Sequence, residues 1–297
     1  MSHFFKISRY SGPAPPQWAP APERSHTLGL YNEAEIDDFE RAEEFCRAHP
    51  PDLPRLLASG TIERIASQHS TTWCLEWPNS SRFVGRVESD FKGTNSVSDS
   101  KVTTDKRCKD VCLLSNLPLM AGLYDVSRKT KGVYYEVQVN RMDGVIAIGT
   151  ACKPYPDWRM PGWNRLSAGL HLDDLRKFFE DPDGGRDYYT GVSRITNGDV
   201  VGCGYEFLSG ALFFTYNGTR LPDAFTGIYM PRRNHDVYAA IGVEGRNEIE
   251  VNFGSSLFAW KEGNDFAWHV DGHVGQMAGN GPSDEEELPS YAEARGW

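Results

Sequence analysis

The residues whose types and spacing could do chemistry are few. His171 with Asp173 and Asp174 is the nearest approach to an acid–base cluster. Two positions apart on a strand, His171 and Asp173 share a face, but nothing nearby supplies the third member of a nucleophilic triad. The expected role for His171 is a strand-end histidine beside solvated acids. Cys108 and Cys112 are four positions apart with no second Cys or His pair, a poor zinc pattern. The run Asp181-Pro182-Asp183-Gly184-Gly185 lacks the spacing and terminal Glu of a calcium loop and is expected to be a turn. Gly202-Cys203-Gly204 lacks the third glycine and the following helix of a dinucleotide loop, and no H-E-x-x-H, G-x-S-x-G or phosphate-loop pattern occurs. The sequence therefore predicts no catalytic residue, no cofactor and no metal site.

Two other constellations suit contact rather than catalysis. Lys153 to Trp163 gathers Tyr155, Trp158, Arg159, Met160, Pro161 and Trp163 between two strand-like runs. Aromatic, Met and Arg side chains offer large contact area and bidentate donors, and they are over-represented in protein interfaces. The tryptophans could equally pin the loop to the body of the protein. Leu288-Pro289-Ser290-Tyr291, set in an acidic tail, resembles the L/P-P-x-Y motif read by WW domains. There a proline in polyproline II geometry stacks in an aromatic groove and the tyrosine enters an adjacent pocket.

The elements that must position these residues change character along the chain. Residues 1–30 hold the proline-rich stretch Ser11 to Glu23 and read as a disordered tail. Across 31–70, Ile36, Phe39, Ala42 and Cys46 recur at helical spacing within Asn32 to His49, Pro50-Pro51 stops that helix, and a second short helix covers Thr61 to Gln68. These helices are expected to pack on the main domain, having too little apolar area to stand alone. From Thr72 the period becomes two, with Trp73, Leu75 and Trp77 on one side of a predicted strand. Gly132 to Val139 and Val145 to Thr150 read as a hairpin about Asn140 to Gly144. A second meander joins DVVGCGYEF to ALFFTYNGTRL with a tight turn at Asn217-Gly218, and Ile249, Val251 and Phe253 mark a late strand. Residues 71–262 thus predict an all-β, two-sheet antiparallel sandwich with a short helical N-terminal extension. Residues 263–297 read as an acidic disordered tail.

Composition narrows the partners. The chain has 297 residues, 39% of them hydrophobic, and its 31 basic against 41 acidic residues give a formal charge of −10. That sign disfavours a nucleic-acid partner held by phosphate neutralisation. The longest apolar stretch, Val111 to Tyr124, falls short of the ~20 residues a spanning helix needs. The opening MSHFFKISRY lacks a signal-peptide pattern, so the expectation is a cytoplasmic protein without a transmembrane segment, its six cysteines being buried thiols.

In order, YYEVQV, IAIGTACKPYPDWRMPGW, SAGLHLDDLRKFF, GDVVGCGYEFLSGALFFTYNGTRL and YAAIGVEGRNEIEVNFG resemble the blocks of the SPRY domain. The wording KPYPDWRMPGW, the NG hairpin and VNFG are similar to the branch containing Ran-binding protein M and the fungal SPRY adaptors of HECT-type ubiquitin ligases. STTWCLEW and CKDVCLLSNLPL resemble the strands ahead of the domain in those adaptors. Fewer than 40 residues follow Trp260, without the helical period of the interaction motifs that follow the domain in Ran-binding protein M. The resemblance implies a concanavalin-like sandwich that binds short peptides on loops at one end. By position Tyr155, Trp158, Arg159, Pro161 and Trp163 are the candidates, with Tyr216 and Phe225 as weaker neighbours. It also implies a non-enzymatic adaptor that recruits a WW-domain ligase through Leu288, Pro289 and Tyr291, with recruitment to endosomal or vacuolar membranes through a partner. The alternatives are a scaffold or substrate-receptor subunit of a multiprotein complex, docked through the helices near Ile36 and Phe39 with the tail incidental, and a carbohydrate-binding or hydrolytic sandwich.

Overall fold

The computed structural model describes residues 36–89, 100–125, 130–188, 190–228, 235–265 and 268–269. The proline-rich stretch and Leu288 to Tyr291 lie outside them. In chain order the elements are α1 (Ile36–Ala48), α2 (Ser59–Gln68), β1 (Gly85–Ser89), β2 (Ser100–Thr104), β3 (Val111–Leu114), β4 (Gly132–Cys152), β5 (Ser167–His171), β6 (Arg176–Phe179), β7 (Arg186–Asp187), β8 (Val200–Glu206), β9 (Ala211–Tyr216), β10 (Thr219–Phe225), β11 (Val237–Asn252) and α3 (Lys261–Asp265).

Two long strands organise everything else. β4 and β11 pair antiparallel from Val237 opposite Cys152 to Asn252 opposite Glu136. The first half of β4 also pairs with β8, while its second half pairs with β5. On the other side, β11 pairs with β3 through Ala240–Val243 and with β2 through Glu248–Val251. One layer is therefore β1-β2-β11-β4-β8-β9-β10 and the other β3-β11-β4-β5-β6-β7, the two being continuous through the shared long strands. All described pairings are antiparallel, as period-two patterning predicts.

The expected hairpin at Asn140 to Gly144 is not a turn: the segment lies within the single 21-residue strand β4. β11 follows it through the bend, and the ladder slips by one residue where Arg141 opposes Glu248 but Val139 opposes Ile249. This leaves Asn140 as the extra residue of a bulge, which bends a strand without ending it. Trp73 to Trp77 also differs from expectation, forming only an isolated bridge between Leu75 and Ser115. Side chains take the backbone groups there: the Cys74 N–H donates to Asn116 Oδ1 at 3.0 Å and the Leu75 N–H to Ser100 Oγ at 3.0 Å. Trp73 and Leu75 are buried, but Trp77 is 59% exposed. The second meander forms as expected, with Asn217 and Gly218 at φ of 47° and 79° between β9 and β10, the left-handed pair that a two-residue hairpin requires.

Between the layers lie Tyr135, Val137, Val139, Ile146, Ile148, Leu170, Val201, Phe214, Ile241, Val243 and Val251. Tyr135 donates across this core to the Gly149 carbonyl at 2.6 Å. The alternate positions of the same strands face outward, and on both layers they are covered. Over the β8–β9 layer, Tyr134 and Phe213 pack against Phe258, Trp260 and Trp268 from the segment containing α3. Glu136 accepts there from the Ala259 N–H and the Tyr134 hydroxyl, both at 3.1 Å or less, and burial pushes its carboxyl up. The other outer face carries the candidate site.

Candidate functional site

Alternation in VIAIGTAC and YAAIGVEG sends Ile146, Ile148 and Ile241 into the core and leaves small residues outside. Ala151, Ala240 and Cys112 form an outer cluster against which Tyr155 packs. The connection from β4 to β5 folds down onto this shallow face. A methyl group on Gly242 would stand 2.4 Å from the Met160 sulfur and 2.7 Å from Pro161 Cδ, and one on Gly169 would stand 2.4 Å from the Pro161 carbonyl oxygen. Only glycine allows so close an approach. Met160 is fully buried, the Tyr155 hydroxyl donates to its carbonyl at 2.6 Å, and burial raises the phenol's pKa. Gly162 turns the chain at φ of 94°, with Phe178 beneath it.

His171 belongs to this layer. It ends β5 as expected but away from solvent: it is 3% exposed, stacked on Phe178 at 4.0 Å, and donates from Nε2 to the Pro161 carbonyl at 3.1 Å. Desolvation lowers its pKa to about 4, so at neutral pH the ring is an uncharged packing and hydrogen-bonding group.

Above the connection lies α1. Its amphipathic pattern buries only Ala42 and Cys46 of thirteen residues, yet its polar and aromatic side chains engage the connection closely. Asp38 forms an ion pair with Arg159, which is 1% exposed and donates through its other terminal nitrogen to the Trp163 carbonyl at 3.1 Å. The Arg41 guanidinium lies 3.6 Å above the Trp158 ring, and Phe45 meets that ring edge-on at 5.6 Å. Asn164 donates to the Cys46 sulfur at 3.2 Å, and Arg165 donates to the carbonyls of Cys46 and His49 at the end of the helix. The seam is incompletely matched. Trp158 Nε1 and Arg159 Nε are buried without acceptors, a condition that costs ~1–3 kcal/mol for each such group. Beside it a crevice of 120 Å³ runs between Phe39 and Ala42 of the helix and Arg159, Trp163, Glu180 and Pro182.

Five of the predicted contact residues, Tyr155, Trp158, Arg159, Pro161 and Trp163, thus fall in one layer, on an outer sheet face rather than among loops at the sandwich end. Tyr155 and Pro161 face the sheet, Trp158 and Arg159 face α1, and Trp163 lies along the crevice, 5.4 Å from His171. Phe225 stands apart, packed on Phe179 at 5.4 Å with Lys177 Nζ 5.3 Å from its ring. Tyr216 lines a different concavity, an open groove of 480 Å³ shared with Thr190, Val192, Arg194, Asn217 and Leu221, and its hydroxyl donates to Asp199 at 3.1 Å. Sequence reasoning missed Asp38, Arg41, Phe45 and Arg165. Their helical spacing was legible, but the surface receiving them was not. Asp181 to Gly185 forms the turn between β6 and β7, where Arg176 donates to the Gly184 and Gly185 carbonyls. The six cysteines are free thiols, all buried except the half-buried Cys74. No helix among the described residues is long and apolar enough to cross a membrane.

Comparison with known proteins gives similarity along most of the chain. Protein ssh4 of Sclerotinia sclerotiorum is 26% identical over 280 residues, covering 92% of this chain and 48% of that protein. Its Neurospora crassa namesake is 25% identical over 275 residues. A SPRY domain-containing protein of Schizosaccharomyces pombe is 31% identical over 172 residues, 57% of this chain and 41% of that one. The chain spans about half the length of the Sclerotinia and Neurospora relatives. Among solved structures, a human SPRY domain aligns over 58% of this chain and 97% of its own at 23% identity, with a TM-score of 0.42. Residues 132–256, from the start of β4 to just past the end of β11, match the family described as SPRY domain, a protein-interaction fold that is generally non-catalytic.

Proposed function

We propose that this chain is a non-enzymatic recognition module. It binds a protein segment at the layer built by Tyr155, Trp158, Arg159, Pro161 and Trp163, in which Tyr155 and Pro161 seat the connection on the sheet and Trp158, Arg159 and Trp163 meet the segment, with Phe225 and the Tyr216 groove as neighbouring contacts. It acts in the cytoplasm as an adaptor, presenting Leu288, Pro289 and Tyr291 to a WW-domain, HECT-type ubiquitin ligase and reaching endosomal or vacuolar membranes through a partner. Bringing ligase and cargo together raises their effective concentration and requires no chemistry from this protein.

The observation that carries the reading is the preorganised layer itself. Met160 and Pro161 are seated on glycines, and the connection presents Trp158 and Arg159 to an α-helix with Trp163 along the adjoining crevice, the side-chain types that dominate protein contacts. The resemblance to fungal ligase adaptors and the tail motif support the ligase half. Affinity capture with the wild type against an Arg159→Glu, Trp163→Ala double variant tests it. Cargo should be lost and WW-domain partners kept, whereas unchanged capture of both contradicts the cargo site. A scaffold role rests on a separate observation: Ile36, at the start of α1, is 51% exposed and available to a partner.

A further inference from the structure

We infer that α1 is a displaceable occupant of the layer around Trp158 and Arg159, and that the partner which replaces it is an amphipathic helix carrying a carboxylate and, seven positions later, an aromatic ring. This rests on the reading that the layer binds protein, and it specifies the shape of the ligand. The template is in the chain. Asp38 and Phe45 are seven positions apart, two turns on one helix face, and they meet Arg159 and the Trp158 ring respectively. A basic, aromatic surface with unmatched donors is complementary to such a helix.

Three features make the internal helix replaceable. It buries only Ala42 and Cys46, and elements with few buried apolar contacts open locally at low free energy. Its seam leaves Trp158 Nε1 and Arg159 Nε without acceptors, so a partner that offered oxygen acceptors to either would fit better than the resident helix. The helix ends at Ala48, ahead of Pro50-Pro51. Beyond it the chain is pinned by the Asp52 N–H on the Lys153 carbonyl at 2.9 Å and by the Leu57 N–H on the Tyr124 hydroxyl at 2.9 Å. The helix can therefore lift while its tether stays fixed.

The test uses the full chain and a fluorescent synthetic peptide of residues 36–50. On the wild type the resident helix should outcompete the peptide. An Asp38→Lys, Phe45→Ala chain should bind it at least tenfold more tightly, and adding Arg159→Glu should abolish that gain. Equal affinity for the first two chains would overturn the inference. Hydrogen exchange on the wild type guards against a variant that fails to fold: α1 amides should exchange at least a hundredfold faster than those of β4 and β11, and equal protection would overturn the inference. Peptide capture by the loosened chain without any gain in cargo would leave this inference standing and count against the proposed function. Equal protection together with Trp163-dependent cargo binding would do the reverse.

Discussion

Arg159 and Asp38, 121 positions apart in the sequence, form an ion pair in which the arginine side chain is 1% exposed and the aspartate 31% exposed. The pair ties the only helix ahead of Pro50 among the described residues to the connection folded over the outer sheet face. A buried guanidinium deprived of its counter-charge keeps its desolvation penalty, whereas the half-solvated carboxylate can recover water. Asp38→Ala should therefore lower stability by ~1–2 kcal/mol through the stranded arginine, and Arg159→Met should cost less than Arg159→Ala because it keeps the apolar volume. Urea titration of the three variants checks the order.

Gly242 is a second anchor. Any side chain there drives into Met160 and Pro161. Gly242→Val should destabilise by at least ~2 kcal/mol, in the upper part of the usual range for overpacking because the Pro161 ring is tied to the backbone and must move. Gly60, whose surroundings are open and which lies in α2, should tolerate Ala and gain ~0.5–1 kcal/mol of helix propensity. Thermal melts of the two variants should move in opposite directions.

His171 contributes a pH dependence of known sign. Its pKa falls from 6.5 to about 4 on folding, so as pH drops the unfolded chain takes up the proton first. The contribution is present above pH ~6.5 and is lost as pH falls toward ~4. His171→Phe keeps the stack on Phe178 and removes the titration. Its stability should be lower at pH 7, for want of the bond to Pro161, but should fall less steeply between pH 6.5 and 4.

Asp110 runs the other way. Desolvation and the nearby Glu244 carboxylate raise its pKa to about 6, against the opposing pull of Arg82 at 3.6 Å. The folded state holds this proton more tightly, so the contribution is present below pH ~4 and is lost as pH rises through ~6. Asp110→Asn should raise stability at pH 7.5 by on the order of 1 kcal/mol and be neutral at pH 4. Denaturant midpoints at the two pH values suffice.

The tail prediction is separable from the fold. Tyr291→Ala should abolish capture of isolated WW domains and leave the melting temperature unchanged; retained capture removes the ligase half of the proposal.

Much of the architecture was legible. Alternation in IEV reported a half-buried strand and the continuous apolar run ALFFTY a buried one, and Asn217-Gly218 marked its turn because few other residues accept that backbone. Asp143-Gly144 misled because a local turn signal competes with a neighbouring strand, and continuous pairing to β11 through Glu244 and Gly245 outweighed it. The Trp73 alternation held as burial for Trp73 and Leu75 but not for Trp77, and it did not make a strand, since Asn116 and Ser100 satisfied the backbone instead. At the site, composition singled out Trp158, Arg159 and Trp163. Their orientation depended on glycines in two strands, Gly169 in β5 and Gly242 in β11, and on a helix more than a hundred positions upstream, information no local window contains. Tyr216 could not be separated from the others without the strand register.

The central claim is that the layer around Trp158 to Trp163 is a protein-binding surface. The most direct measurement is affinity capture from the native cell extract with wild type, Asp38→Lys and Arg159→Glu, Trp163→Ala chains, each first shown to melt cooperatively. The account predicts one set of partners that increases with Asp38→Lys and disappears with the double variant, while WW-domain partners stay constant across all three. An identical partner set from the three folded chains would contradict it.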